Sequence, residues 1–311
     1  MANGLTPYTG HVHYDIDTEL QDAVSNSAPI LDLFLTKRRQ YSGLKYVIPT
    51  IGAVTTAETY DPTGTSAISN TVQSSTMENP YFGLDGHYTT GYGLTESDYE
   101  IGGSASAVVK TEMEKRKTAK ITLMETAADD ICDGDGSSDA CRGIDYLISR
   151  TNTDAWGTAT AADFSAWDSQ ASSTATVLNQ FADINSQIDA CTILGQSPTN
   201  GFCEAAKFVR LLDLAGQANV LTNSTGTAKL GNTGLVYAGV EFKKDVHTTA
   251  NKMYILNAND LGLLVTKVFE DSGLAPISNA YRHTIGRIDF NFNPFCKQRR
   301  LHGGFTSITT S

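Results

Sequence analysis

The sequence predicts a mixed α+β chain organised around one oversized helix. Three observations predict it. Helical spacing continues without a proline from Asp98 to Ile131. The segments before it hold too few core residues to fold alone. After it, helix-type and strand-type patterns alternate.

Residues 1–43 read as an arm. Asp17-Thr18 caps a short helix through about Asn26, and Pro29 interrupts it. Ile30, Leu31, Leu33, Phe34 and Leu35 then form a second apolar patch before Lys37-Arg38-Arg39. Two short amphipathic pieces need a surface to lie on, in this chain or another. Residues 44–97 read as a long excursion. Tyr46–Ile51 has strand character, with Pro49 marking an edge. A Thr/Ser/Gly-rich stretch from Thr55 to Met77 follows, and Tyr81, Phe82, Tyr88 and Tyr92 read as the returning strand.

In the long helix, apolar residues recur at Ile101, Ala105, Val108, Val109 and Met113, then at Leu123, Met124, Ala127 and Ile131. Glu112 to Lys120 is charged nearly all round. Glu112 and Arg116 stand at i, i+4, and Glu114 and Lys117 at i, i+3. From Gly103 to Ile131 the helix spans about 43 Å. The Asp133-Gly134-Asp135-Gly136 run ends it.

Beyond it, Arg142–Ser149 is a short ordered segment, and Phe164 and Trp167 must bury somewhere. Val177, Phe181, Ile184, Ile188 and Cys191 mark an amphipathic helix; Phe202, Ala206, Val209 and Leu212 mark another, ending at Gly216. Leu235–Phe242 and Lys252–Asn257 read as strands joined by a polar turn. Leu261–Val265 is apolar, Thr284–Phe292 alternates, and a last strand runs from about Phe295 to Ile308.

With 311 residues, 40% hydrophobic and only 18% charged, the chain can fold while leaving much weakly charged surface for partners. A net charge of -11 argues against a broad nucleic-acid face. The five Cys include no CxxC pair, and Cys132 and Cys141 flank one short loop. They read as thiols in a reducing compartment. No signal peptide is evident, and no apolar run is long enough to span a membrane.

No motif of catalysis stands out. Asp133, Asp135, Ser137 and Asp139 match the alternate positions of a calcium loop, but Ser138 replaces its Gly and Ile144 its closing Glu, so a solvated turn is the better reading. His11 and His13 lack a third ligand. Gly102-Gly103-Ser104 is a strand-to-helix joint, and no GxSxG, P-loop or GxGxxG occurs. Lys297, Arg299 and Arg300 read as a charged strand face or inter-subunit salt bridges.

Several segments, taken in order, resemble a known family: Asn26–Leu31 before Lys37-Arg38-Arg39, METAADDICDGDG from Met124 to Gly136, and Gly143–Ile148. The best block is C-terminal: Val236–Glu241 before Asp245, Met253–Asn257, and Phe295–Gly303. The chain resembles the major capsid proteins of tailed bacteriophages, with the HK97-type fold. It departs where Asn152–Gly157 replaces the Gly-Gly-Ile-Asp run of some relatives, and no additional N-terminal scaffolding-type domain is evident.

The resemblance implies an N-terminal arm (1–43), an extended β-hairpin or E-loop (44–97), a peripheral domain (98–141 and 261–311) whose spine is the long helix, and an α/β axial domain (142–260). It implies a structural protein, not an enzyme, with no catalytic, metal or cofactor site. Such a protein assembles in the host cytoplasm into hexamers and pentamers of an icosahedral virion shell. The shell encloses double-stranded DNA without sequence-specific contact, and scaffolding, portal and decoration proteins are separate partners. Inter-subunit contacts are expected at Glu112, Glu114, Arg116, Lys117, Lys37, Arg38 and Arg39. Deleting residues 1–40 is expected to leave a soluble subunit that cannot close shells. The alternatives are a cellular nanocompartment shell of the same fold and a soluble enzyme with dispersed carboxylates.

Overall fold

The computed structural model describes residues 28–43, 46–47, 50–51, 77–78, 81–82, 86–102, 105–137, 140–148, 167–172, 176–177, 181–193, 195–217, 234–276 and 283–309. Helix α1 (Pro29–Thr36) starts on a proline, whose fixed φ and missing N–H suit a first helical position, so Pro29 opens a helix here. The helix expected to precede it lies outside the described residues. Ile30, Leu31 and Phe34 are buried in the chain's own core. β1 (Arg38–Gln40) follows and pairs parallel with β13 (Leu261–Asp271). Residues 28–40 are therefore structural in their own subunit. This revises the truncation expectation: a cut at residue 40 would remove core.

β2 (Tyr46–Val47) pairs with β5 (Tyr81–Phe82), and β3 (Thr50–Ile51) with β4 (Met77–Glu78), both antiparallel. These rungs are the base of the expected hairpin; residues 52–76 lie outside the described ones. β6 (Gly86–Leu94) is not the hairpin's return. It pairs along its whole length with β15 (Thr284–Cys296) and buries Tyr88 and Tyr92. Together β1, β13, β15, β14 (Ala275–Pro276) and β6 form a five-stranded sheet. Its core is a ladder of aromatics: Tyr88 stacks on Phe292 at 4.8 Å, and Phe290 lies 4.5 Å from both Phe269 and Phe292.

Helices α2 (Glu96–Gly102) and α3 (Ala105–Asp133) follow. α3 is the expected long helix, but its buried stripe lies only in its C-terminal half. Ala119, Lys120, Leu123, Met124, Ala127, Ala128, Ile131 and Cys132 recur every four residues against the first core. Lys120, read as part of a charged middle, is buried, and Val109 is 49% exposed. On the exposed face Thr118, Thr122 and Thr126 each donate to the carbonyl four residues back, at 3.0–3.1 Å.

α4 (Ile144–Leu147), β7 (Gln170–Ser172), β8 (Thr176–Val177), α5 (Phe181–Cys191), β9 (Asn200–Cys203), α6 (Ala205–Gln217), β10 (Leu235–Tyr237), β11 (Val240–Lys244) and β12 (Met253–Leu256) build most of the second half. A six-stranded sheet runs β10-β11-β9-β12-β16-β7, where β16 is Gly303–Phe305. Its own core gathers Ile184, Ile188, Phe208, Leu211, Leu214, Phe242 and Ile255. Two expectations shift. Val177 sits in β8, paired with β17 (Ile308–Thr309), so α5 begins only at Phe181. Phe202 is a strand residue, and taking it as the helix's first apolar position set the phase wrongly. α6 buries Phe208 and Leu211 and leaves Val209 56% exposed.

The expected last strand is likewise divided. β15 ends at Cys296, a 3-10 turn covers Arg299–Leu301, and β16 joins the second sheet. The chain's last segment thus returns to the second sheet rather than staying with strands 261–296. Trp167 is fully buried, as its size demands.

Candidate subunit-contact site and the joint between the sheets

The basic step after α1 is exposed at all three residues, and Arg39 also contacts its own chain. Lys37 caps the helix end, donating its N–H to the Phe34 carbonyl at 3.1 Å. Arg39 Nη1 donates to Tyr46 Oη at 3.0 Å, and its guanidinium lies 5.8 Å from the Phe295 ring centre. Arg38 and Gln40 are exposed on β1, the edge strand of the first sheet. The step therefore ties the hairpin base to the sheet and presents Arg38 outward.

The four helix candidates divide by face. Arg116 Nε and Nη2 both bond Asp271 Oδ2 at the end of β13. The Asp271 side chain is 1% exposed. It also accepts from Tyr92 Oη at 2.8 Å and from Gly273 N–H at 2.7 Å. Arg116 covers the Tyr92 ring at 5.7 Å. Glu112, half-buried beside this cluster, has its carboxyl pushed up by burial, against the pull of Arg116. Glu114 and Lys117 are exposed. So Arg116 and Glu112 face the chain's own sheet, and Glu114 and Lys117 face outward.

Sequence reading missed a second clamp beside this one. Lys115 Nζ lies 2.6 Å from Asp98 Oδ2 and donates to the Gly93 carbonyl at 3.2 Å. Asp98 also accepts from Thr95 N–H at 2.7 Å and Thr95 Oγ1 at 2.8 Å. Lys115 first, then Thr95, holds the Asp98 carboxyl down to about 2. The signal was present: Thr95-x-x-Asp98 is a capping box and starts the helix at Glu96. No local pattern marks Asp271, which meets Arg116 only through the sheet.

The two sheets meet at polar joints. The loop 245–252 between β11 and β12 leans on the first core. His247 Nδ1 lies 2.5 Å from Asp129 on α3. Asp145 on α4 accepts from Thr249 Oγ1 at 2.9 Å, Lys252 Nζ at 2.6 Å and Tyr254 Oη at 2.6 Å. The Asp245 carboxyl, pushed up by burial, receives N–H groups of both Ile30 and His247.

Arg299 is no strand-face cation. It is 1% exposed and gives Nε to the Leu147 carbonyl at 2.8 Å and Nη2 to the Tyr146 carbonyl at 2.6 Å, closing the C-terminus of α4. Nearby, Asn257 N–H donates to His302 Nδ1 at 3.3 Å. The ring proton is thereby assigned to Nε2, which faces Asp260 Oδ2 at 3.3 Å.

All five cysteines are buried free thiols. Burial pushes those of Cys191 and Cys203 up to about 12. Asp135 of the Asp/Gly loop accepts the Ser137 N–H at 2.8 Å, and Asp139 lies outside the described residues. Among the described residues no three of His, Cys, Asp and Glu converge as metal ligands, and no helix is long and apolar enough to cross a membrane. What this arrangement can do is mechanical: it fixes two sheets, a long helix and a hairpin base in one relation.

No family model matches the chain, and no curated protein matches it in sequence. Solved structures do match in fold. A Cyanophage A-1(L) capsid protein superposes with a TM-score of 0.70 at 14% identity, over 91% of this chain and 93% of that one. The capsid of Cyanophage Pam1 gives 0.54 at 14% identity, over 88% and 91%. A virus-like particle from Pyrococcus furiosus gives 0.53 at 10% identity, over 93% and 96%. At these identities the likeness is one of fold, and it extends over nearly the whole of each chain. In fold, this chain is similar to phage capsid proteins along nearly its whole length.

Proposed function

We propose that the chain is a structural major capsid protein that self-assembles into hexamers and pentamers of an icosahedral shell around double-stranded DNA. The observation that carries the reading is the match to a cyanophage capsid subunit along 91% of this chain and 93% of that one. In this reading α3 is the spine of a peripheral domain, and the hairpin on β2–β5 is the E-loop. The six-stranded sheet with α5 and α6 is the axial domain. The expected contacts of the arm and of the hairpin tip with neighbouring subunits fall on residues outside the described ones. Such contacts are repeated by symmetry, so each need be only weak. Lys37, Arg38, Arg39, Glu114 and Lys117 are the exposed members of the candidate set and the ones offered to a neighbour. The role is non-enzymatic, and scaffolding, portal and decoration proteins are separate partners. Assembly takes place in the host cytoplasm.

The acidic charge supports a container wall that does not adhere to its DNA. Size-exclusion chromatography with negative-stain imaging of the purified protein tests the reading. Closed shells, or rings that close on adding a scaffold, are expected; a small discrete particle under all conditions would refute it. The likeness to the Pyrococcus furiosus particle supports a second reading, a cellular nanocompartment shell. Gene neighbours separate the two: packaging-motor and portal genes for a virus, an enzyme cargo for a compartment.

A further inference from the structure

The N-terminus of α1 is unusual in its cap. The residue before it is Ala28, whose side chain makes no capping hydrogen bond. Pro29 has no N–H to satisfy. The Ile30 N–H is the next donor, and it is bonded at 2.9 Å by Asp245 Oδ2, 215 residues away in sequence. Asp245 is 1% exposed, and its other oxygen accepts the His247 N–H at 2.8 Å. The same loop is fixed at two further points: His247 to Asp129 on α3, and Thr249 and Lys252 to Asp145 on α4. One loop of the second sheet thus holds three separate elements of the first core.

We propose that the 245–252 loop is a strap, with Asp245 as a positioning residue, that fixes the start of α1 at Ala28 against the second sheet. A helix start capped by its own preceding residue is a local matter. Capped from the second sheet, the first turn of α1 is tied to both sheets. The carboxylate also complements the positive end of the helix. Burial of a carboxylate costs stability, so a neutral local cap would serve a merely structural need better. The remote Asp makes the position of the helix start depend on how the two sheets sit together. The shell readout below rests on the capsid reading above.

The test uses the full-length protein with Asp245→Asn, Asp245→Ala, and Asp245→Ala combined with Ala28→Ser, which offers a local cap. Hydrogen exchange of the Ile30–Leu33 amides, and protease cutting just before Ala28, are read in the unassembled subunit. Shell formation is scored by electron microscopy. For Asp245→Ala, exchange at Ile30–Leu33 should rise about five- to thirtyfold, as loss of a helix cap implies, while β13 and β15 amides are unchanged. Asp245→Asn, which keeps one oxygen for two N–H groups, should fall between. Ala28→Ser should restore amide protection at α1 without restoring normal shell yield, because the cap returns but the link to the second sheet does not. If Asp245→Ala leaves Ile30–Leu33 exchange unchanged, the strap is refuted. It is refuted equally if Ala28→Ser restores shell yield in full. If the wild-type chain forms no shells at all, the capsid reading fails while the exchange result still stands.

Discussion

Replacing Arg116 with Met removes a charge that the folded chain uses internally. Asp271 is 1% exposed, and Arg116 holds it through two nitrogens while covering Tyr92. Breaking a buried pair from one side generally costs about 3–5 kcal/mol, because the remaining charge is left buried. Here Asp271 keeps two donors, Tyr92 Oη and Gly273 N–H, and the Arg116 side chain is 13% exposed. Those facts lower the expectation to about 2–4 kcal/mol. For a chain of this size that is a fall of roughly 3–6 °C in Tm. The assay is urea and thermal unfolding of the unassembled subunit, with Asp271→Asn and the double variant completing a cycle. A coupling of about 2 kcal/mol is expected, with the double variant more stable than the sum of single losses implies. Additive losses, or an Arg116→Met subunit as stable as wild type that fails only in assembly, would refute the internal role. That second outcome would return Arg116 to the inter-subunit set.

Other expectations follow from the same coordinates. Phe34→Ala should cost about 3–5 kcal/mol, since the ring is fully buried in the first core. By the same logic a chain starting at residue 28 should fold and one starting at residue 41 should not, as circular dichroism and limited proteolysis would report; a folded 41–311 fragment would contradict it. The Asp98 carboxyl is held at about 2, below its usual range, by Lys115 and Thr95. Its contribution is therefore complete above the unfolded value near 4 and lost as pH falls through about 2. The Tm gap between wild type and Asp98→Asn should close over that window; a gap that stays constant down to pH 2 would show the charge is idle. Arg299→Met should destabilise by about 2–4 kcal/mol, leaving the Tyr146 and Leu147 carbonyls without their cation. Arg299→Lys should recover only part of this, since an ammonium lacks the planar fork; full recovery would show that charge alone matters.

Much of the fold was legible where a local period is strong. The long helix has no proline and ends at an Asp/Gly run, so its C-terminus was placed within two residues, at Asp133. The hairpin base was legible from Tyr46–Ile51 and the aromatic pair at Tyr81-Phe82. What failed did so for lack of tertiary information. Tyr88 and Tyr92 look like hairpin residues because they follow Tyr81-Phe82 closely; only pairing with β15 places them in the main sheet. Phe202 fits a helical period by accident of spacing, and its strand is fixed by β11 and β12 on either side. Four of the contact candidates, Glu112, Glu114, Arg116 and Lys117, stand out by charge pattern on one helix. Such a pattern shows which residues are charged but not which face a sheet covers, and Arg116 lies on the covered one. Asp145, Asp245 and Asp271 carry much of the joinery, yet each acts on residues more than a hundred positions away.

The long helix is held by two different kinds of force. Between Ala119 and Cys132, seven apolar positions press into the first core, with Lys120 buried beside them. Apolar burial of that kind is non-directional and weakens little if the helix shifts by a fraction of an ångström. Between Ser106 and Thr118 no described residue is buried, and the anchors include Arg116 to Asp271 and Lys115 to Asp98 and Gly93. Charge-assisted bonds are directional and fail abruptly when their geometry is lost. One half of the helix is therefore held by burial in the core, and the other by directional bonds to β6, α2 and β13.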